Sequence, residues 1–183
     1  MEDPSSKRIA VIGVTCSGKS TLADRLSRSL GLARIELDAL HWKPGWVGSD
    51  REEFRAKVDA ATRGQRWVAD GNYASVRDLV WERADLIVWL DYPLGLVLAR
   101  WARRTWRRWR AKELLWGTNR ESFCMELTIW SKRSLIHWLF RSYFRHRREY
   151  PALLSDPARS RAAWRRFRHP REVEAWLQSS GKP

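Results

Sequence analysis

Apolar positions along this chain of 183 residues follow two alternating rhythms. Short runs rich in Val, Ile, Leu and Trp occur at Ile9–Ile12, Arg34–Leu37, Arg66–Ala69, Leu86–Leu90 and Ala163–Arg168. Each is four to six residues long, which suits a buried strand. Between them apolar residues recur every three or four positions, as with Leu22, Leu26 and Leu30. That spacing predicts helices at Lys19–Leu30, Arg51–Thr62, Ser75–Arg83, about Leu94 to Lys112, and Arg171–Gln178, with one or two more between Glu121 and Tyr150. Strands alternating with helices predict an α/β fold, with a five-stranded parallel sheet flanked by helices. No linker or repeat divides the chain, so one domain is expected over 1–183. Its core would be about 7–99 and 160–180, with a helical insert at about 100–155.

The segment joining the first strand to the first helix is "GVTCSGKS", residues 13 to 20. It reads G-x-x-x-x-G-K-S, the phosphate-binding P-loop pattern. Gly13 and Gly18 permit backbone angles that let successive N–H groups curl around a phosphate. Thr15, Cys16, Ser17 and Thr21 complete the cradle. Lys19 would reach the β- and γ-phosphates, and the Ser20 hydroxyl would serve Mg²⁺. The phosphates would lie at a helix N-terminus, where unpaired N–H groups favour anions. Cys16 is either a thiol activated by that position or a small loop residue.

In a doubly wound parallel sheet, ligands gather beyond the carboxyl ends of the strands. Acidic residues follow three of the predicted strands: Asp38 in "DALHWKPGW", Asp70 in "DGNY" and Asp91 in "DYP". Asp70 is the favoured magnesium residue and Asp91 the weaker choice, since Mg²⁺ takes oxygen ligands beside phosphates.

Charge changes the picture of the second half. Lys plus Arg number 35 against 21 Asp plus Glu, a net charge of +14, with most of the excess beyond residue 99. "RWARRTWRRWRAK" and "RSYFRHRREY" interleave arginine with aromatic residues, and the chain holds 13 Trp. Such segments suit either a lid that closes over a polyphosphate or a nucleic-acid surface. Two cysteines make neither a disulfide framework nor a zinc site. No apolar run is long enough to span a membrane, and "MEDPSSKR" does not resemble a secretory signal, so the cytoplasm is the expected compartment.

"GVTCSGKSTLADRL", "ELDALHWKPGW", "WVADGNY" and "ADLIVWLDYP" together resemble the P-loop kinases grouped with adenylate kinase. Within that group they are most similar to the topology-modulation or adenylate-kinase-related proteins. The resemblance implies ATP and Mg²⁺ as cofactors. It implies that Arg100 and Arg104, one helical turn apart, reach the triphosphate as lid-flanking arginines. Leu94, Val97, Leu98, Trp101 and Thr105 would pack the opposite face of that helix, and Arg103 and Arg107 would flank the basic one. Arg120 and Glu121 either help form the lid or cap a helix. The resemblance also implies that Asp38 binds an acceptor hydroxyl; His41, Trp42 and Trp46 would wall that pocket, the tryptophans offering stacking faces, and Asn72 is the further acceptor-binding candidate. Adenylate kinases have D-G-F-P-R where this chain has "DGNYA", so their phosphate-contacting arginine has Ala74 in its place.

The expected activity is ATP-dependent phosphoryl transfer to a small acceptor: a nucleoside, a nucleotide or another hydroxyl compound. The competing class is an ATP-regulated nucleic-acid-binding protein that uses the basic half. It is the less favoured, because motif spacing is position-specific and net charge is not.

Overall fold

The computed structural model describes residues 8–111, 114–115, 119–120, 135–156 and 162–180. Five strands, β1 (Arg8–Gly13), β2 (Ala33–Glu36), β5 (Trp67–Asp70), β6 (Leu86–Leu90) and β9 (Ala163–Phe167), form one sheet in the order β2-β5-β1-β6-β9. Every pairing in it is parallel. The five expected strands are therefore all present, with ends shifted by at most one residue. β1 sits at the centre: the chain first builds β2 and β5 on one side of it, then crosses to β6 and β9 on the other. That reversal opens a crevice at the carboxyl ends of β1, β5 and β6.

Helices α1 (Lys19–Leu30), α3 (Arg51–Ala61), α4 (Arg77–Arg83), α5 (Leu94–Ala111), α6 (Leu135–Leu154) and α7 (Pro170–Ser180) surround the sheet. Alternate strand residues feed two apolar layers. Ile9, Val11, Val68 and Val88 pack with Leu22 and Leu26 of α1, Val97 and Trp101 of α5, and Trp176 of α7. Ala10, Ile12, Trp67 and Trp89 pack with Phe54 and Val58 of α3 and Val80 and Trp81 of α4. Burying a side chain such as Leu26 contributes about 2 kcal/mol, so the α1 stripe alone is a substantial anchor.

Local signals start and stop these elements. Asp50 caps α3, its Oδ1 accepting from the N–H groups of Glu52 and Glu53 at 2.9 Å each. Gly31 ends α1 in the left-handed region at φ 61°. The expected Ser75–Arg83 helix begins instead as a 3₁₀ turn, Ala74–Val76, before α4. Two small elements were not expected. α2 (Leu37–His41) follows β2 directly, and a hairpin of β3 (Trp42–Lys43) and β4 (Val47–Gly48) follows α2. Asp38 thus stands in the first turn of a short helix rather than at the end of a strand.

α6 touches both layers. Leu139 and Tyr143 join the first, whereas Tyr150 and Leu154 join the second. Between them Arg147 Nε donates to Asp91 Oδ1 at 2.6 Å, just past β6. The middle of α6 therefore passes the carboxyl end of the sheet, where the crevice opens. A second two-stranded pairing joins β7 (Leu114–Leu115) and β8 (Asn119–Arg120), while Glu121 lies outside the described residues. None of the described helices is long and apolar enough to cross a membrane.

Candidate active site

The loop after β1 leads into α1 through Gly18, whose φ of 96° places it in the region that favours glycine. Gly13 has a different constraint: a Cβ there would meet Leu90 O at 2.7 Å and Ser17 Oγ at 2.8 Å. Cys16 also takes a left-handed conformation, φ 60°. No side chain caps the start of α1. The first N–H groups of the helix are thus left for an external acceptor, as an anion site requires. Ser17 is fully buried, and its Oγ has no hydrogen-bond partner.

Lys19 is half-buried and donates to Val14 O at 3.0 Å. Burial pushes its pKa down, while Asp38 and Asp70 favour its charged form and Arg104 opposes it. The Lys19 ammonium therefore lies within electrostatic reach of three further expected site residues. Arg100 Nη1 donates to Ser17 O at 2.7 Å, and its guanidinium lies 5.0 Å over the Tyr92 ring. Arg100 thus comes to the phosphate loop from α5, and Arg104, one turn further along that helix, acts on Lys19 through its charge. Thr15 is half-buried and Thr21 exposed beside the loop.

Ser20 Oγ donates to Asp70 Oδ2 at 2.6 Å. Asp70 closes β5 and is only 3% exposed. Its Oδ1 is buried without a hydrogen bond, with Arg34 Nη2 3.7 Å away. Burial raises the Asp70 pKa, against the opposing effects of Ser20, Arg34 and Lys19. A hydroxyl and a buried carboxylate with one uncommitted oxygen fit Mg²⁺, which fills its remaining positions with waters and phosphate oxygens. Among the described residues no cluster of three or more His, Cys, Asp or Glu could enclose a metal.

Asp91, the weaker magnesium candidate, is committed elsewhere. Its Oδ1 accepts from Arg147 Nε at 2.6 Å, and its Oδ2 accepts from Arg166 Nε at 2.9 Å and Nη2 at 2.6 Å. Two guanidiniums saturate it, so it ties α6 and β9 to β6. Neither arginine was singled out in the sequence, because they lie 56 and 75 residues away from it.

On the other side of the crevice, Asp38 Oδ1 accepts from Tyr73 Oη at 2.6 Å. His41 is half-buried among rings, with centroids 4.8 Å from Trp42, 4.8 Å from Phe54 and 4.7 Å from Tyr73. Burial lowers its pKa. Trp46 packs edge-on to Trp42 at 5.6 Å and remains 37% exposed. The aromatic side chains after β2 therefore pack mostly on one another, around Asp38. Asn72 is engaged with the phosphate loop. Its Oδ1 accepts from Gly13 N at 3.2 Å, and its Nδ2 donates to Gly13 O. The amide thus holds the first glycine of the loop by both backbone groups.

His146, in the middle of α6, was not anticipated. It is 2% exposed, stacks on Tyr150 at 4.4 Å and 14°, and has no hydrogen-bond partner at either ring nitrogen. Burial, then the charges of Arg145, Lys19 and Arg77, push its pKa down to about 3. Unfolded histidine titrates near 6.5, so between these values the unfolded chain binds a proton that the folded chain does not. Stability from this group is therefore present above pH 6.5 and is lost as pH falls toward 3. Between pH 7 and pH 5 the loss should be about 2 kcal/mol. Denaturant unfolding of His146→Phe at both pH values should show a correspondingly smaller acid loss. An unchanged pH dependence would show that His146 is not buried in neutral form.

No protein-family model and no curated protein sequence matches this chain. Solved structures do resemble it in fold. A sugar kinase from Janibacter sp. HTCC2649 superposes with a TM-score of 0.52 at 17% identity, covering 96% of each chain. A gluconokinase from Sinorhizobium meliloti 1021 gives 0.51 at 20% identity, covering 95% of this chain and 93% of that one. A shikimate kinase from Acinetobacter baumannii, in complex with shikimate, gives 0.53 at 16% identity, covering 98% and 97%. With its five parallel strands and flanking helices, the chain shares the α/β fold of these structures.

Proposed function

We propose that this protein transfers the γ-phosphoryl group of ATP to a hydroxyl on a small acceptor. The observation that carries the reading is the Ser20–Asp70 hydrogen bond beside Lys19, at the uncapped start of α1. The names of the similar structures (sugar, gluconate and shikimate kinases) support a small hydroxyl-bearing acceptor. Kinship with the adenylate-kinase-related proteins is supported by the quoted motifs.

Ser20 and Asp70 would hold Mg²⁺, which would neutralise charge on the phosphates. The loop N–H groups and Lys19 would hold the triphosphate, and Arg100 and Arg104 would stabilise charge on the transferring group. Asp38 would orient the acceptor hydroxyl. Tyr73 occupies its Oδ1 and so leaves Oδ2 to take the hydroxyl proton. The acceptor oxygen then bonds to the γ-phosphorus as the bond to the β–γ bridging oxygen breaks, and ADP leaves. His41 and Trp46 would border the acceptor. Asn72 would support it indirectly, by fixing the loop.

The direct test is a screen of polyols, sugars, hydroxy acids, nucleosides and nucleotides for acceptor-dependent ADP formation. Turnover with one class would support the reading, and ADP formation that no acceptor raises would overturn it. Arg104→Ala should lower turnover by about ten- to a thousandfold with little change in ATP affinity, as expected for a group that acts on transition-state charge. An unchanged rate would remove Arg104 from the reaction.

A second reading rests on the outward face of α6. Trp138, Arg141, Phe144, Arg145 and Arg148 are exposed there, and aromatic residues among arginines suit single-stranded nucleic acid. Gel shifts at several salt concentrations decide it: saturable binding that persists near physiological salt would favour this reading.

A further inference from the structure

Asp70 Oδ1 is shut off from solvent without a hydrogen bond, and it already faces a cation, Arg34. β2 pairs with β5 so that Arg34 lies opposite Val68 and Glu36 opposite Asp70. Ile35 and Ala69, between them, turn into the apolar layer of α3 and α4, whereas Val68 belongs to the layer of α1. Strand alternation therefore puts Arg34, Glu36 and Asp70 on the α1 side of the sheet. α1 meets them with Ser20 and Asp24, which stand about one turn apart and so share a face.

One guanidinium is shared among three carboxylates. Arg34 Nη2 lies 3.7 Å from Asp70 Oδ1 and 3.8 Å from Glu36 Oε2, and its Nη1 lies 3.8 Å from Asp24 Oδ1. These are ion-pair separations beyond hydrogen-bond reach, so none of the three pins the guanidinium. Arg55 on Asp78 and Arg147 on Asp91, by contrast, close to 2.6 Å. The Asp70 side chain is 4% exposed and that of Arg34 31%, so the arginine has a way out to solvent and the carboxylate has none. A carboxylate oxygen that takes Mg²⁺ with its shell of waters has no room for a guanidinium as well.

We propose that Arg34 is a positioning residue that competes with the metal for Asp70 Oδ1. It neutralises the buried carboxylate until a divalent cation is bound, and then gives way by moving onto Asp24 and Glu36. Metal affinity is thereby held down, and Asp70 is never left buried without a counter-charge. The proposal rests on the metal site of the kinase reading above, and it adds the residue that tunes that site.

The test titrates manganese(II), a paramagnetic stand-in for Mg²⁺, into the intact protein with and without ADP. The free ion is followed by electron paramagnetic resonance. Arg34→Gln should bind the ion about tenfold more tightly than the parent protein, because a like charge beside the site is gone. Arg34→Lys, which keeps the charge, should stay near the parent, and Asp70→Asn should bind far more weakly. Arg28→Gln controls for the general field: Arg28 holds the other oxygen of Asp24 at 3.1 Å and is 81% exposed. Its affinity should stay within about twofold of the parent. Melting temperature is the second readout. Without metal Arg34→Gln should melt below the parent, and saturating manganese should close the gap, whereas a merely structural arginine would lower both temperatures alike. Unchanged or weaker binding in Arg34→Gln, or an equal gain in Arg28→Gln, overturns the competition; if the protein still phosphorylates an acceptor, the kinase reading stands. Tighter binding in Arg34→Gln of a protein that phosphorylates no acceptor supports the competition and removes the kinase reading. Manganese binding that Asp70→Asn does not reduce overturns both the competition and the metal site.

Discussion

Lys19→Ala should abolish phosphoryl transfer, lowering kcat by on the order of a thousandfold or more. The side chain makes one hydrogen bond, to Val14 O, and contributes little to the core. Melting temperature and circular dichroism should therefore stay close to those of the parent protein. The size of the expected loss follows from position. The ammonium lies within the fields of Asp38, Asp70 and Arg104 together, so it is the cation common to both halves of the crevice. Burial lowers its pKa, and the two carboxylates counter that effect and help keep it charged. Near-parental turnover in a folded Lys19→Ala protein would falsify the kinase reading.

Asp70→Asn and Asp38→Asn should fail in different ways. Asparagine at 70 keeps an oxygen for the Ser20 hydroxyl but removes the charge offered to a cation. The magnesium concentration for half-maximal rate should rise, and kcat should fall by about a hundredfold or more. Asparagine at 38 keeps an oxygen for Tyr73 and removes the proton acceptor. There kcat should fall by about a hundred- to ten-thousandfold with the KM for ATP unchanged. Titrating both variants with magnesium at fixed ATP separates the cases. Equal loss of nucleotide affinity in the two would mean that the division of labour is wrong.

Much of this architecture is legible in the sequence because it is local. β1, the glycine-rich loop and α1 lie within 23 consecutive residues, and each follows from spacing and glycine placement. β6 reads directly from five successive apolar residues, all buried. The region after β2 is less legible. α2 is five residues long, too short for helical periodicity to declare itself. The Pro44–Gly45 turn of the following hairpin does carry a sequence signal, since that dipeptide punctuates turns. The charged ties are illegible for another reason. Nothing in "RSYFRHRREY" separates Arg147, which grips Asp91, from exposed Arg148 or from Arg145. The difference arises when mid-α6 crosses the end of β6. His146 is hidden likewise: a histidine within a basic run reads as solvated, yet the helix turns it inward. Asn72 was placed near the acceptor by its position after β5, but its amide reaches back 59 residues to Gly13.

That bracket has a thermodynamic consequence. Gly13 belongs to the loop that would wrap phosphate, and Asn72 to the loop after β5 that lines a small pocket beside Tyr73 and would border the acceptor. Any rearrangement of one loop on filling is felt by the other through two hydrogen bonds to a single residue. Occupancy on one side should then change affinity on the other, and by the same factor in either direction. Loosening the bracket with Asn72→Ala should draw that factor toward one, leaving two sites that fill without regard to each other.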